Sequence, residues 1–207
     1  MPYRENRVYV KDYAIIPVGS SLLTPVPTAP GHKQQYIHKA IFPDFMAMSD
    51  AVLADLGFPI LVASGHRPPL WDTIEEYNAD MIRLYGSVAE GRKWRAFQSS
   101  HSCSLAFDFG CGGLYPDRST IPQQKKTKLY AWVVAHAWEY GWHPYKPENW
   151  HLEHRVSQEA FKTGIPDKPG HVLESFVTTM PLIIQNDVCE DNTCMASPLD
   201  PSLTSHS

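Results

Sequence analysis

A histidine and an aspartate seven residues apart, with a run of strand formers between them, constrain this chain more than any other feature. The stretch is QSSHSCSLAFDFG, Gln98 to Gly110, and the pair is His101 and Asp108. Side chains alternate along an extended strand, so positions seven apart point to opposite faces. The two can act together only if the backbone turns between them, and Ser102-Cys103-Ser104 is the natural place. That turn leaves Ala106 and Asp108 on one side of the following strand and Leu105, Phe107 and Phe109 on the other. Small or polar residues then face a site, and large apolar residues face a core.

Further along, PENWHLEH brings Glu148, His151 and Glu153. His151 on a neighbouring strand would complete a set of two imidazoles and one carboxylate, a common catalytic zinc complement that leaves a fourth position for water. Glu148, in a loop just after Pro147, would overhang that position and accept the proton of a water acidified by the metal. Glu153 shares the face of His151 and is the reserve candidate for base, or a carboxylate that orients a ligand imidazole. Cys103 reads as a small apolar filler, His154 as structural because it points away from His151, and His136 as a core histidine. Trp150 is expected to pack beside the ligand and shield the site.

The bulk numbers exclude some classes. A net charge of −4 and a pI near 6.2 carry no basic footprint for nucleic acid. The first residues, MPYRENRVYVKDY, lack the apolar core of a signal peptide, and no stretch approaches the roughly eighteen apolar residues that span a bilayer. The expectation is cytoplasmic synthesis without a signal peptide. Cys103, Cys111, Cys189 and Cys194 are too few for a disulfide scaffold and lack C-x-x-C spacing. Free thiols are expected, although Cys189 and Cys194 could pair under oxidising conditions.

Residues 1–35 read as an N-terminal arm, with VYVKDYAII strand-like and SSLLTPVPTAPGH built of turn and extended-chain formers. The spacing from Tyr36 to Leu56 suits an amphipathic helix with Gly57 as its stop. FPILVAS and LAFDF read as buried strands. WDTIEEYNADMIRLYG reads as a helix with Asp72 as N-cap and Gly86 as stop, and residues 87–98 as a surface crossing. CGGLYPDRSTIPQQ has the content of a long loop, KKTKLYAWVVAHAWEYG is the clearest helix, and WHLEH is a short strand. The pattern predicts an α+β domain over 36–170, with a small sheet carrying the polar site on one face. Residues 171–207 read as an extension, partly disordered, in which VLESFVTTMPLII could form one more packed element.

Three segments in order carry a resemblance. SSHSCSLAFD is similar to the S-x-H-x-x-G-x-A-x-D motif of the VanY-type D-alanyl-D-alanine carboxypeptidases and related LAS-type zinc peptidases. PENWH resembles their E-x-W-H signature, and ASGHRP resembles the S-G-x-R segment that precedes both. The likeness covers roughly Phe42 to Arg155. It implies a hedgehog/D-Ala-D-Ala peptidase-like fold, a small antiparallel sheet flanked by helices. It implies His101, Asp108 and His151 as zinc ligands and Glu148 as catalytic base. It also implies Arg67 as a stabiliser of the oxyanion or holder of substrate, and Ser99 as a hydrogen-bonding partner of the substrate. Ser104 departs from the pattern, standing where those proteins usually have glycine. If that position needs φ > 0, serine costs on the order of 1 kcal/mol of strain.

The resemblance implies a zinc-dependent monomeric peptidase of peptidoglycan stem peptides acting on the cell wall, with the E-x-W-H form leaning toward D-alanyl-D-alanine carboxypeptidase. An L-alanyl-D-glutamate endopeptidase, as in phage endolysins released through a membrane lesion, is the first alternative. A zinc-binding interaction module without catalysis, as in hedgehog domains, is the second; retention of Glu148 speaks against it.

Overall fold

The computed structural model describes residues 8, 10–93, 95–110 and 114–167. The elements run β1 (Leu23–Val26), β2 (Gln35–His38), α1 (Phe42–Leu56), β3 (Val62–Ser64), α2 (Ile74–Tyr85), α3 (Val88–Gly91) and β4 (Ala106–Phe109). Then follow α4 (Ile121–Gln124), α5 (Lys128–His136), β5 (Trp142–Tyr145), β6 (Glu148–His154) and α6 (Gln158–Thr163). β1 and β2 form an antiparallel hairpin, and a four-stranded antiparallel sheet has the order β3-β4-β6-β5. This is the α+β class expected, with helices flanking small antiparallel sheets.

Local chemistry explains most helix boundaries. α1 starts with a proline in its first turn and ends on Gly57 in the left-handed region at φ 83, where a residue without Cβ is unstrained. Its Phe45, Met48 and Val52 are fully buried, following helical spacing. α2 is capped by Thr73 rather than Asp72: the Thr73 hydroxyl accepts from the Glu76 amide, and Glu76 reaches back to complete a capping box. α5 is capped by Thr127, whose hydroxyl accepts from the Tyr130 amide, and is followed by a 3-10 turn over Ala137–Tyr140 that stops on Gly141.

One face of the four-stranded sheet packs on α1. Phe107 sits edge-on to Phe45 at 5.2 Å and to Trp142 at 4.7 Å between ring centroids. Leu105, Phe109 and Leu152 are fully buried in the same cluster. The alternation along β4 therefore leaves Asp108 for the opposite face, as the strand argument required.

Several expectations are corrected. The helix predicted from Tyr36 starts only at Phe42, because residues 35–38 pair with β1. β5 was not anticipated, and β6 is longer than WHLEH, so Glu148 is its first residue rather than part of a loop. Two of the missed strands contain a proline, Pro25 in β1 and Pro144 in β5, which reads as a strand breaker but is tolerated at sheet edges. The described part of VYVKDYAII holds a 3-10 turn, Val10–Asp12, and no strand. The loop expected after Gly110 contains α4, the surface crossing contains α3, and α6 follows the last predicted strand. His136 is a partly exposed partner of Glu139 at 2.8 Å, not a core histidine.

The first 35 residues contribute to the fold. Val8, Tyr13, Ile16 and Val26 belong to the main core. The Ile16 amide donates to the Ser102 carbonyl at 2.9 Å, and Gln98 Nε2 donates to the carbonyls of Val10 and Tyr13 at 2.9 and 2.7 Å. The expected 171–207 extension, the VLESFVTTMPLII run and the cysteines at 111, 189 and 194 lie outside the described residues; Cys103 is a buried free thiol within the core.

Candidate metal centre and its cleft

Strand register and one tight turn assemble the site. In the β4–β6 pairing Asp108 lies directly opposite His151, and Ala106 opposite Glu153; directly paired antiparallel residues hold their Cβ atoms about 5 Å apart on the same face. The turn sits where the seven-residue spacing demanded. The Ser104 amide donates to the His101 carbonyl at 3.0 Å, and the Leu105 amide to the Ser100 carbonyl at 2.9 Å. Ser104 takes φ 60, the one non-glycine with positive φ among the described residues. Its hydroxyl is 2.8 Å from His66 Nδ1, so this buried serine offsets backbone strain with a hydrogen bond a glycine could not make.

The three side chains converge. His101 Nε2 lies 3.2 Å from Asp108 Oδ1 and 3.1 Å from His151 Nδ1, and His151 Nδ1 lies 2.9 Å from the same Asp108 oxygen. All three residues are at most 6% exposed. Zinc bonds of about 2.0–2.1 Å at tetrahedral angles separate donor atoms by about 3.3 Å, close to what is observed.

The outer nitrogens of both imidazoles are engaged. His101 Nδ1–H donates to the Gly65 carbonyl at 2.7 Å, and His151 Nε2–H donates to Glu153 Oε1 at 3.1 Å. Burial, only partly offset by Asp108, lowers the His101 pKa and leaves a neutral ring with its Nε2 lone pair turned inward. Asp108 is disfavoured as an anion by burial, but His101 and His151 outweigh this and hold its pKa well below the usual carboxylate range. Burial would also lower His151; its hydrogen bonds to Asp108 and Glu153, and their charges, win and push it up to about 9. The donor set fits a divalent ion such as zinc, with each outer partner fixing the tautomer of its imidazole.

Glu153 is fully committed to that support. Oε1 accepts from His151 and from the Ser100 hydroxyl at 3.0 Å, and Oε2 accepts from the Val8 amide at 3.0 Å. It lies on the Nε2 side of His151, away from the converging donors, which rules against the reserve role as base. The Val8 link ties the N-terminal segment to the His151 imidazole.

Gly65 owes its identity to packing. A Cβ there would meet the Tyr36 carbonyl oxygen at 2.3 Å, so only glycine lets this carbonyl reach His101. Arg67, two residues on, puts its guanidinium 3.5 Å from Asp108 Oδ2 while remaining 58% exposed. A cleft of about 600 Å³ opens over the cluster, and Arg67, Ser99, His101, Glu148 and His151 all line it. Tyr145, which the sequence reading did not single out, lines it too and meets the His151 ring edge-on at 5.9 Å. Trp150 is buried. His154 lies on the core side of β6, beside Trp142 and 3.0 Å from Asp44 Oδ2.

No protein-family model and no curated protein matches this chain. Solved structures similar to it include a point mutant of the vancomycin-resistance D,D-pentapeptidase VanY from a VanB-type cassette in complex with Zn(II). That likeness has 21% identity over 73% of this chain and 90% of that one, with a TM-score of 0.42. VanYB in complex with D-alanine-D-alanine shows 22% identity over 73% and 89% of the two chains, TM-score 0.43. The LdcB LD-carboxypeptidase shows 21% identity over 70% and 93%, TM-score 0.35.

Proposed function

We propose that this protein is a zinc-dependent peptidase of peptidoglycan stem peptides, with D-alanyl-D-alanine carboxypeptidase as its primary activity. The observation that carries the reading is the convergence of His101 Nε2, His151 Nδ1 and Asp108 Oδ1 to about 3 Å in a cleft that Glu148 and Arg67 also line. These three residues would hold a zinc ion, which when bound would supply a Lewis acid that polarises a carbonyl and acidifies water. Glu148, at the start of β6 and half-buried in the cleft wall, accepts the proton of the attacking water and returns it to the leaving amine. Arg67 stabilises the charge that develops on the carbonyl oxygen, an interaction stronger in the transition state than in the ground state. The Ser99 hydroxyl, in the same lining, holds the substrate by a hydrogen bond. A base beside a three-ligand centre is superfluous in a purely structural zinc site, which supports catalysis over a binding module.

The test is peptide release from purified peptidoglycan and a synthetic stem pentapeptide, read by mass spectrometry, with zinc content determined in parallel. Wild type is expected to release a terminal D-alanine, and Glu148→Ala to retain zinc while losing about 10²–10⁴-fold in rate. Cleavage between L-alanine and D-glutamate would move the assignment to the endopeptidase class. Full activity in Glu148→Ala would remove its role as base. Bound zinc without cleavage of either substrate would overturn the peptidase reading in favour of a binding module.

A further inference from the structure

The walls of this cleft carry a charge opposite to that of the whole chain. The protein has 18 Lys and Arg against 22 Asp and Glu, whereas the cleft is lined by Lys11, Arg67, Arg92, Lys93 and Arg95 against only Glu148 and Glu153. Glu153 is bound to His151, Ser100 and Val8, Arg67 is paired with Asp108, and a divalent ion on the three residues would outweigh the single negative charge of Asp108. A cleft lined by one sign of charge focuses its field on whatever enters.

The cationic rim is built, not a loose charge run. Arg92 and Arg95 sit just after α3, with their amides donating to the carbonyls of Val88 and Gly91, each at 2.9 Å. The Arg95 carbonyl accepts from the Tyr77 hydroxyl at 2.8 Å, and Tyr77 belongs to a second small core with Trp71 and Met81. Gly91 packs so closely that a Cβ would meet Met81 Sδ at 2.5 Å. The exposed guanidinium-bearing side chains therefore leave a backbone that is fixed against its own core. Lys93 is paired with Glu90 at 2.6 Å, and the Asp80 carboxyl feels the Arg95 charge; Arg92 and Arg95, both exposed, are the positions to test. Lys11 extends the basic lining from the N-terminal segment, whose neighbouring Val10 carbonyl is held by Gln98.

We propose that Arg92 and Arg95 form a specificity rim that recognises free carboxylates on the peptide flanking the scissile bond. The preferred substrates are then stem peptides whose D-glutamate and diamino-acid carboxylates are ionised, over peptides in which the same groups are amidated. This rests on the peptidase reading above and adds the substrate class. The rim selects charge, while the metal cluster and Glu148 carry out the hydrolysis.

The experiment uses the full-length zinc-loaded protein and two synthetic pentapeptides identical except for free carboxylates or carboxamides at those positions. kcat/KM is measured for wild type and for the Arg92→Gln/Arg95→Gln double variant at low and high salt. Wild type is expected to favour the free-carboxylate peptide by about tenfold or more, with the preference falling as salt rises. The double variant should bring the ratio close to one at unchanged zinc content. A wild-type ratio near one would overturn the rim and leave the peptidase reading standing. A large ratio surviving in the double variant would overturn the assignment to Arg92 and Arg95. If neither peptide is cleaved the peptidase reading fails, and calorimetric binding of the two peptides to Glu148→Ala then decides the rim separately. Equal binding or none overturns it; tighter binding of the free-carboxylate peptide, lost when Arg92 and Arg95 are also replaced, supports it.

Discussion

His38, at the end of β2, and His151, within β6, are almost equally buried at 0% and 6% exposure, and they hold protons with opposite strength. At His38 desolvation dominates and lowers the pKa to about 4. Its Nδ1 accepts from the Ala40 amide at 3.1 Å and its ring stacks on Phe161 at 4.9 Å, surroundings that suit a neutral imidazole. At His151 the same desolvation is outweighed by Asp108 and Glu153, and the pKa rises to about 9. The difference teaches that depth alone makes a histidine inert. A cation site needs carboxylates placed by register on the same imidazole. His154 also touches a carboxylate, Asp44 at 3.0 Å, but no third donor converges there among the described residues.

The strongest way to break this comparison is to remove each imidazole in turn. His151→Ala is expected to lose more than about 100-fold in zinc affinity, since it deletes one of the three converging donors. His154→Ala should keep one zinc per chain and lose only stability, by about 1–3 kcal/mol. Elemental analysis after gel filtration and thermal unfolding separate the two. Loss of zinc in His154→Ala would show that the core-side histidine belongs to the metal centre.

Glu153→Gln sharpens the role of the second carboxylate. It keeps the shape but removes the charge that holds His151 Nε2–H, and zinc affinity should weaken about 10–100-fold. In the metal-free protein the His151 pKa of about 9 should fall in this variant, measurable by histidine NMR titration. An unmoved titration would mean that Asp108 alone sets His151.

His38 predicts an acid limb in folding stability. Its folded pKa of about 4 lies below the ordinary histidine value of 6.5, so the native state binds fewer protons than the unfolded chain. Its contribution is fully present above pH of about 6.5, falls as the pH drops toward about 4 and levels off below. The total is about 3 kcal/mol. Denaturant unfolding of wild type and His38→Asn across that range should show the limb flattened in the variant, and an unchanged slope would assign it to other groups.

The smallest effect concerns Ser104. Ser104→Ala keeps the strained φ of 60 and loses the contact with His66, at a cost of about 1–2 kcal/mol. Ser104→Gly loses the same contact but relieves on the order of 1 kcal/mol of strain. Glycine should therefore be the milder substitution, the reverse of the usual order, and equal unfolding midpoints would remove the strain argument.

Much of the site was legible because its first half is local. His101 and Asp108 are separated by one turn, and the alternation of Ala106 and Asp108 against Leu105, Phe107 and Phe109 follows from strand geometry. The glycine stops at Gly57, Gly86 and Gly141 were legible for the same reason: each is a single-residue backbone requirement, met at φ near 80. β1 and β5 were not legible, since short strands containing proline show no alternation and exist only through their partners. Thr73 caps α2 in place of Asp72 because its hydroxyl accepts from the Glu76 amide; Asp72 stands equally three residues before Glu75, so spacing alone left both positions open.

By itself, then, the sequence determined the donor types, the turn that lets His101 and Asp108 share a face, and the side of β4 that becomes core. These depend on interactions within a few residues, where backbone geometry leaves few alternatives. Only the tertiary structure decided that His151 would lie opposite Asp108, that Glu153 would support His151 instead of serving as base, and that Val8 would bind Glu153 across 145 residues of chain. It also decided that Arg92 and Arg95 would line the same cleft. Those pairings are set by strand register and by burial of the Phe45–Phe107–Trp142 core, cooperative and non-local choices that no single stretch of sequence encodes.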